Sequence, residues 1–480
     1  MPLLKDTIFY SIAIWGSRLV AVVTTPVIIA YLTPEDYGYL SLVRVIATFC
    51  STLGLLAIVD QALPRFFIDS KDENERRAFV TTSFAISGAG TMIAIVIIIA
   101  CTPFVTLVLK DIRYPLIFTS LIALLCFSRS IQYVGANMLK WTFRSPLFMK
   151  ITLAQAVAAA ILTLYGVIWL EWGAKEILII TSAVFIIAGI ASLFPIRSFF
   201  PVSGFSKSKL KILTLYAWPL LGLNVFAFFT RSLDRIFLAA LTTLGVVGVY
   251  SVSSFVAGIF ETLVGGFFFA WGPHVFSTYG DEGSQKRYAY FFSIMACLCI
   301  VSIIFLGLWA GPLISLIRPD NAYNEIGVIV PWIIGGTGFY YLGGYFALGP
   351  AIKKKTYWQF IVFVIAGTGN ALLNYSLIPL WGLLGAGIAT ATSSLIAGIL
   401  IQIISNRLYY IPNRWKFSFA AILFYTIIIS SIQNEYFEMN INDLSITFRC
   451  LITIILICTA ILPFYRDIIS SGILNKIITS

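Results

Sequence analysis

The chain has 480 residues, of which 59% are hydrophobic and only 11% are charged. Soluble globular domains carry about 25% charged residues, so this composition excludes a soluble globular protein. The formal net charge of +11 would suit a nucleic-acid-binding protein, but most of the positive residues fall in short segments between apolar stretches, which is a topology signal instead.

Apolar segments of about 20 residues recur along the whole chain, and each is long enough to cross a bilayer as an α-helix. This pattern predicts an all-α polytopic membrane protein with about fourteen transmembrane helices. The longest inside loops are predicted at about 59–77, 197–212 and 270–287. The predicted spans cover approximately residues 8–31, 37–58, 78–101, 115–137, 147–170, 177–196, 213–241, 246–269, 288–312, 326–349, 356–377, 380–405, 416–433 and 446–465.

Lysine and arginine are distributed unevenly between the predicted loops. With the N-terminus placed in the cytoplasm, inside segments and the span ends next to them hold 22 of the 32 Lys and Arg, whereas outside segments and the span ends next to them hold 5. Because positive residues accumulate on the cytoplasmic side of membrane proteins, this distribution predicts that both termini are cytoplasmic.

A weak internal repeat joins the two halves of the chain. Residues 31–43 parallel residues 241–253 at an offset of 210, with Gly38 opposite Gly248. Six predicted helices separate the copies, so both halves insert in the same orientation, with a substrate site expected between them. We therefore predict an N-terminal six-helix bundle in residues 1–200, a C-terminal six-helix bundle in residues 201–410, and two additional helices with a tail in residues 411–480.

Five arginines lie well inside the predicted spans, away from their ends, where each costs roughly 2.5–3.5 kcal/mol at a helix centre. A guanidinium stays charged and presents a planar fork of donors that fits a phosphate group. The set therefore predicts a cationic cavity that binds an anionic substrate. Its members are Arg18, Arg44, Arg129, Arg231 and Arg235.

Three carboxylates are candidate partners or coupling sites. Asp234 shares a helix face with Arg231 and Arg235 and is predicted to offset part of their charge. Glu261 lies within the eighth span, and two roles stay open for it: a proton or sodium site that couples transport, or the partner of a buried arginine. Asp60, at the inner end of the second span, either serves an inner gate or caps the helix.

Catalytic signatures are sparse. His274 is the single histidine and is predicted to lie in a loop. One histidine cannot build a zinc site of the usual kind, and no paired-carboxylate, Ser/His/Asp or P-loop spacing accompanies it. We therefore predict a transporter rather than an enzyme, with no cofactor, no metal and no nucleic-acid partner.

Three segments carry a family resemblance: residues 32–38, residues 61–66, and residues 232–238 followed by 248–251. They are similar to bacterial polysaccharide-repeat-unit flippases, the Wzx-type O-antigen transporters of the multidrug/oligosaccharidyl-lipid/polysaccharide exporter superfamily. The resemblance spans nearly the whole length.

The resemblance implies two six-helix bundles in a V-shaped, MATE-like arrangement plus two extra C-terminal helices. It also implies that oligosaccharides on undecaprenyl diphosphate, such as lipopolysaccharide precursors, move from the cytoplasmic to the outer leaflet of the bacterial inner membrane by alternating access. Coupling to a proton or sodium gradient, and contacts with other polysaccharide-assembly proteins, stay open.

Two alternatives remain. A multidrug or metabolite antiporter of the same superfamily is the first, although a transporter of organic cations favours intramembrane carboxylates and arginines outnumber them here. A polysaccharide polymerase or ligase is the second, but such an enzyme is expected to carry catalytic residues in a large outside loop, which this sequence lacks.

Overall fold

The computed structural model describes residues 2–70, 72–199, 204–320, 322–433 and 446–465. Within these ranges the regular structure is helical, without strands. The predicted domain boundary at residues 200 and 201, and the predicted tail after residue 465, lie outside them. The α-helices are α1 Pro2–Tyr31, α2 Pro34–Leu55, α3 Leu63–Asp69, α4 Glu73–Ala100, α5 Thr102–Val108, α6 Pro115–Trp141, α7 Ser145–Trp169, α8 Ala174–Leu193, α9 Lys207–Leu241, α10 Leu244–Thr278, α11 Ser284–Ile317, α12 Ile326–Phe346, α13 Gly349–Ile352, α14 Tyr357–Leu408, α15 Trp415–Ile432 and α16 Ile446–Ile461.

Two compact units divide the chain. The first comprises Met1–Phe228 with Thr243–Val247, and the second comprises Phe229–Thr242 with the described part of Gly248–Ser480. Helix α9 contributes its N-terminal part to the first unit and its C-terminal part to the second. The division into residues 1–200, 201–410 and 411–480 stays a prediction.

Twelve helices among the described residues are long and apolar enough to cross a membrane. One of them, α14, has 52 residues. A straight helix of that length would extend for about 78 Å, more than twice the ~30 Å hydrocarbon core. The helix turns at Gly382, whose φ of 52° and ψ of −123° are not helical, a few residues after the predicted boundary between the spans 356–377 and 380–405. The all-α, multi-pass fold is confirmed, while the number fourteen stays a prediction.

Two predicted inside loops contain more helix than the sequence pattern indicated. After α2 the backbone passes through left-handed conformations at Leu56 and Ala57, then forms a π-helical turn, Ile58–Ala62, and α3. Helix α10 continues to Thr278, so His274 lies in a helix and its prediction as a loop residue was wrong. Polar residues at these inner ends suggested loops, but helices extend beyond the apolar core when their ends are solvated.

The repeat is visible in the helix boundaries. Helices α1 and α9 end at Tyr31 and Leu241, and α2 and α10 begin at Pro34 and Leu244, each pair 210 residues apart. The side-chain oxygens of the intervening threonines accept hydrogen bonds from backbone N–H groups three residues on, at 3.1 Å for Thr33 and 3.4 Å for Thr243. Such caps satisfy N–H groups that a helix leaves unpaired, so the same local chemistry starts both helices.

Helices pack closely in each unit. In the first, α2 contacts α4 and α6, α6 contacts α8, and α1 contacts α7. A Cβ added at Gly90 of α4 would lie 2.2 Å from the carbonyl oxygen of Gly54 in α2, so these backbones meet without side chains between them. In the second unit, α12 contacts α11, α14 and α15. Small residues at such crossings supply the packing that holds membrane helices together.

Candidate functional site

The first unit brings two of the predicted arginines together. Arg44 lies on α2 and Arg129 on α6, which pack against each other, and the two guanidinium groups are near enough to repel. Both side chains are half-buried. No ion pair of the described residues includes either one. Among the described ion pairs, these two partly buried positive charges have no carboxylate partner, so their charge is uncompensated there.

Arg18 is placed differently. Its side chain is exposed on α1, with the guanidinium carbon 5.9 Å from the centre of the Trp15 ring. The described contacts do not join it to Arg44 or Arg129. Its predicted role in a shared cavity therefore stays a prediction.

The second unit pairs Arg231 of α9 with Glu261 of α10 in a hydrogen-bonded ion pair. The Tyr341 hydroxyl, on α12, also donates to Glu261 Oε1 at 2.7 Å. The neighbouring Tyr340 ring lies 5.5 Å from the Arg231 guanidinium carbon, within the range of a cation–π contact. Two roles were left open for Glu261, a coupling site and a partner of an arginine. The structure shows the contact that the second role requires.

Asp234 and Arg235 form a separate cluster around the buried Asp234 carboxylate. Asp234 is 4% exposed and accepts hydrogen bonds from the Tyr250 hydroxyl, from the backbone N–H of Arg235 at 2.9 Å, and from the Thr390 hydroxyl at 3.5 Å. The Arg235 guanidinium carbon lies 5.7 Å from the centre of the Tyr250 ring. Both carboxylate oxygens accept hydrogen bonds, as a buried charge requires, and these contacts join α9, α10 and α14.

Asp60 lies in the π-helical turn after α2 and is half-buried. Its carboxylate interacts with Tyr133 and Lys140 of α6, and Gln61 beside it donates to Asn224 Oδ1 at 3.3 Å. Asp60 therefore contacts a neighbouring helix, and its predicted role in a gate stays untested.

A cavity of about 200 Å³ lies in the second unit between α12 and α14. Aromatic rings form much of its wall, and Tyr340, which contacts Arg231, is one of them. Sequence reasoning did not single out Tyr340, Tyr341 or Tyr250. The doublet Tyr340-Tyr341, followed one turn later by Tyr345, was the available signal for the first two.

The model of one protein family matches residues 3–279, and its description is "Polysaccharide biosynthesis protein". The chain belongs to this family. No curated protein sequence matches the chain.

Several solved structures share its fold, and two of them illustrate the likeness. A lipid II flippase MurJ in an inward closed conformation superposes with a TM-score of 0.69 at 14% identity, covering 96% of this chain and all of that one. An inward-facing multidrug resistance MATE family transporter of the MOP superfamily gives 0.62 at 13% identity, covering 87% and 99%. At these identities the likeness establishes the fold alone. The predicted resemblance to superfamily flippases and the predicted MATE-like fold are confirmed, and the chain is a multi-pass membrane protein.

Proposed function

We propose that this protein is a flippase that moves undecaprenyl-diphosphate-linked polysaccharide repeat units, such as those of O-antigen, from the cytoplasmic to the outer leaflet of a bacterial inner membrane by alternating access. Membership of a polysaccharide biosynthesis family supports a glycan as part of the substrate. The fold, shared with a flippase and a drug transporter, supports transport rather than catalysis.

The observation that carries this proposal is the pair Arg44 and Arg129. Two guanidinium groups that repel each other are stabilised when an anion lies between them. A diphosphate carries multiple negative charges and several acceptor oxygens, which match two planar forks of donors. The lipid tail stays in the bilayer while the charged group is held inside the protein. We assign the diphosphate to this pair.

The same charges disfavour an antiporter of organic cations, although the fold is compatible with both classes. Such a transporter needs an available intramembrane carboxylate. Asp234 is buried and accepts three hydrogen bonds, and the charge of Glu261 is balanced by Arg231 in this structure. Our proposal includes no cofactor, and coupling to a proton or sodium gradient stays a prediction for which Glu261 is the candidate.

The test uses a strain whose surface polysaccharide depends on this gene. We expect Arg44→Ala or Arg129→Ala to lower surface polysaccharide about tenfold or more, because a hydrogen bond to a charged group contributes about 1.5–3 kcal/mol. Lysine at either position keeps the charge but loses the fork, so it should restore transport only in part. Lipid-linked repeat units should accumulate in the alanine variants.

The matched control is Arg113→Ala, which removes an exposed arginine of the loop between α5 and α6. Membrane levels of each variant are measured by immunoblot. Normal polysaccharide in both Arg44→Ala and Arg129→Ala, at equal protein levels, would refute the assignment of the diphosphate to this pair.

A further inference from the structure

In the ion pair between Arg231 and Glu261, each member has a second partner. Glu261 accepts a hydrogen bond from Tyr341, and Arg231 lies over the ring of Tyr340. If the two charges separate, the carboxylate keeps a donor and the guanidinium keeps an aromatic face. Separation therefore leaves neither charge without a partner.

Both members are also accessible. The Arg231 side chain is 46% exposed and that of Glu261 is 33% exposed, whereas Asp234 is 4% exposed. A ligand can therefore approach Arg231 without unpacking the helices. The guanidinium has five N–H donors in its fork, and the carboxylate that it contacts is the group that an incoming phosphate would replace.

We propose that Arg231 is a further phosphate-binding residue in addition to Arg44 and Arg129, and that in this structure Glu261 occupies the position of the phosphate as an internal competitor. The inference rests on the proposed function in one respect only: it assumes that the substrate carries a phosphate group. Binding breaks the contact between Arg231 and Glu261, forms one between Arg231 and a phosphate oxygen, and leaves Glu261 on the Tyr341 hydroxyl. No covalent bond changes.

The exchange has a consequence for transport. A bound phosphate lies near the displaced carboxylate, and the two like charges repel. Glu261 therefore weakens phosphate binding and favours release, since the carboxylate returns to Arg231 as the substrate leaves. A transporter needs such reversibility, because a site that binds too tightly does not let its cargo go.

The experiment measures the Kd of farnesyl diphosphate, a short prenyl diphosphate, by titration calorimetry on the full-length protein in detergent micelles. Glu261→Gln removes the competing charge and should lower the Kd about tenfold. Replacing Arg231 by Gln in the same protein should abolish that gain. Tyr341→Phe deprives the displaced carboxylate of its donor, so it should raise the Kd several-fold.

Glu73→Gln is the matched control. It makes the same chemical change in the surface ion pair Arg77–Glu73, whose side chains are 37% and 67% exposed, and it should leave the Kd unchanged. Thermal unfolding of each variant shows whether it is folded. If Glu261→Gln is not folded, the rise in Kd expected for Tyr341→Phe decides the question.

An unchanged or higher Kd in folded Glu261→Gln, an unchanged Kd in Tyr341→Phe, or no binding by any variant overturns the inference and indicates a purely structural ion pair. These outcomes are distinct from failure of the proposed function. If Arg44→Ala loses surface polysaccharide but Glu261→Gln does not change the Kd, the inference about Arg231 and Glu261 is wrong and the proposed function stands. Normal polysaccharide in Arg44→Ala and Arg129→Ala with tighter binding by Glu261→Gln would remove only the assignment of the diphosphate.

Discussion

Arg231 and Arg235 lie one helical turn apart on α9, yet their surroundings give them different roles. Arg231 faces an accessible carboxylate, while Arg235 lies beside a buried one that holds three helices together. The arginines themselves could be predicted, because charge in an apolar stretch stands out in any sequence. Their tyrosine partners were not predicted, because the sequence shows the tyrosines but not which charged side chains their hydroxyls meet.

At this scale we predict that Tyr250→Phe destabilises the protein by about 1.5–3 kcal/mol, because the buried Asp234 carboxylate loses a hydrogen bond. Thermal or denaturant unfolding in detergent measures the loss. Tyr375→Phe, the same change at a side chain that is 67% exposed, is the control and should have little effect. Equal stability of the two variants would mean that the Tyr250 hydroxyl contributes nothing to this cluster.

At the scale of elements, the apolar pattern located nearly every long helix, because burial in a bilayer requires about 20 apolar residues. It placed the helix ends less well. The π-helical turn after α2 and the inner part of α10 carry polar residues, and composition alone does not separate a solvated helix end from a loop. The sequence predicted a gap between the spans 356–377 and 380–405, whereas the turn lies at Gly382, inside the second of these spans.

Gly382 supplies the prediction for this scale. Its φ of 52° and ψ of −123° belong to a region that residues with a Cβ rarely adopt, so Gly382→Ala should destabilise the protein by about 1–3 kcal/mol. Gly369→Ala in the same helix is the control, because a Cβ there meets nothing within 4 Å. It should be neutral or stabilising by up to about 1 kcal/mol. Matching unfolding midpoints would show that the turn does not depend on glycine.

Across the whole molecule, the repeat preserves the backbone but not the charge. The residues 210 positions from Arg44 and Arg231 are Ser254 and Ala21. In the second unit each of the two predicted arginines lies beside a carboxylate, whereas Arg44 and Arg129 of the first have none among the described ion pairs. The repeat was readable from matching turn sequences. The electrostatic difference required the contacts between helices.

The direction of transport depends on the orientation of the chain, which the positive-inside distribution predicts. Lys110 and Lys355 are exposed and lie in connections that this orientation places outside and inside, respectively. In a protein whose seven native cysteines are replaced, Lys110→Cys should react with a membrane-impermeant maleimide in spheroplasts, whereas Lys355→Cys should react only after the membrane is permeabilised. The reverse pattern would place both termini outside. The side on which Arg44 and Arg129 first meet a cytoplasmic lipid diphosphate would then have to be reassigned, because α2 and α6 would cross the membrane in the opposite direction.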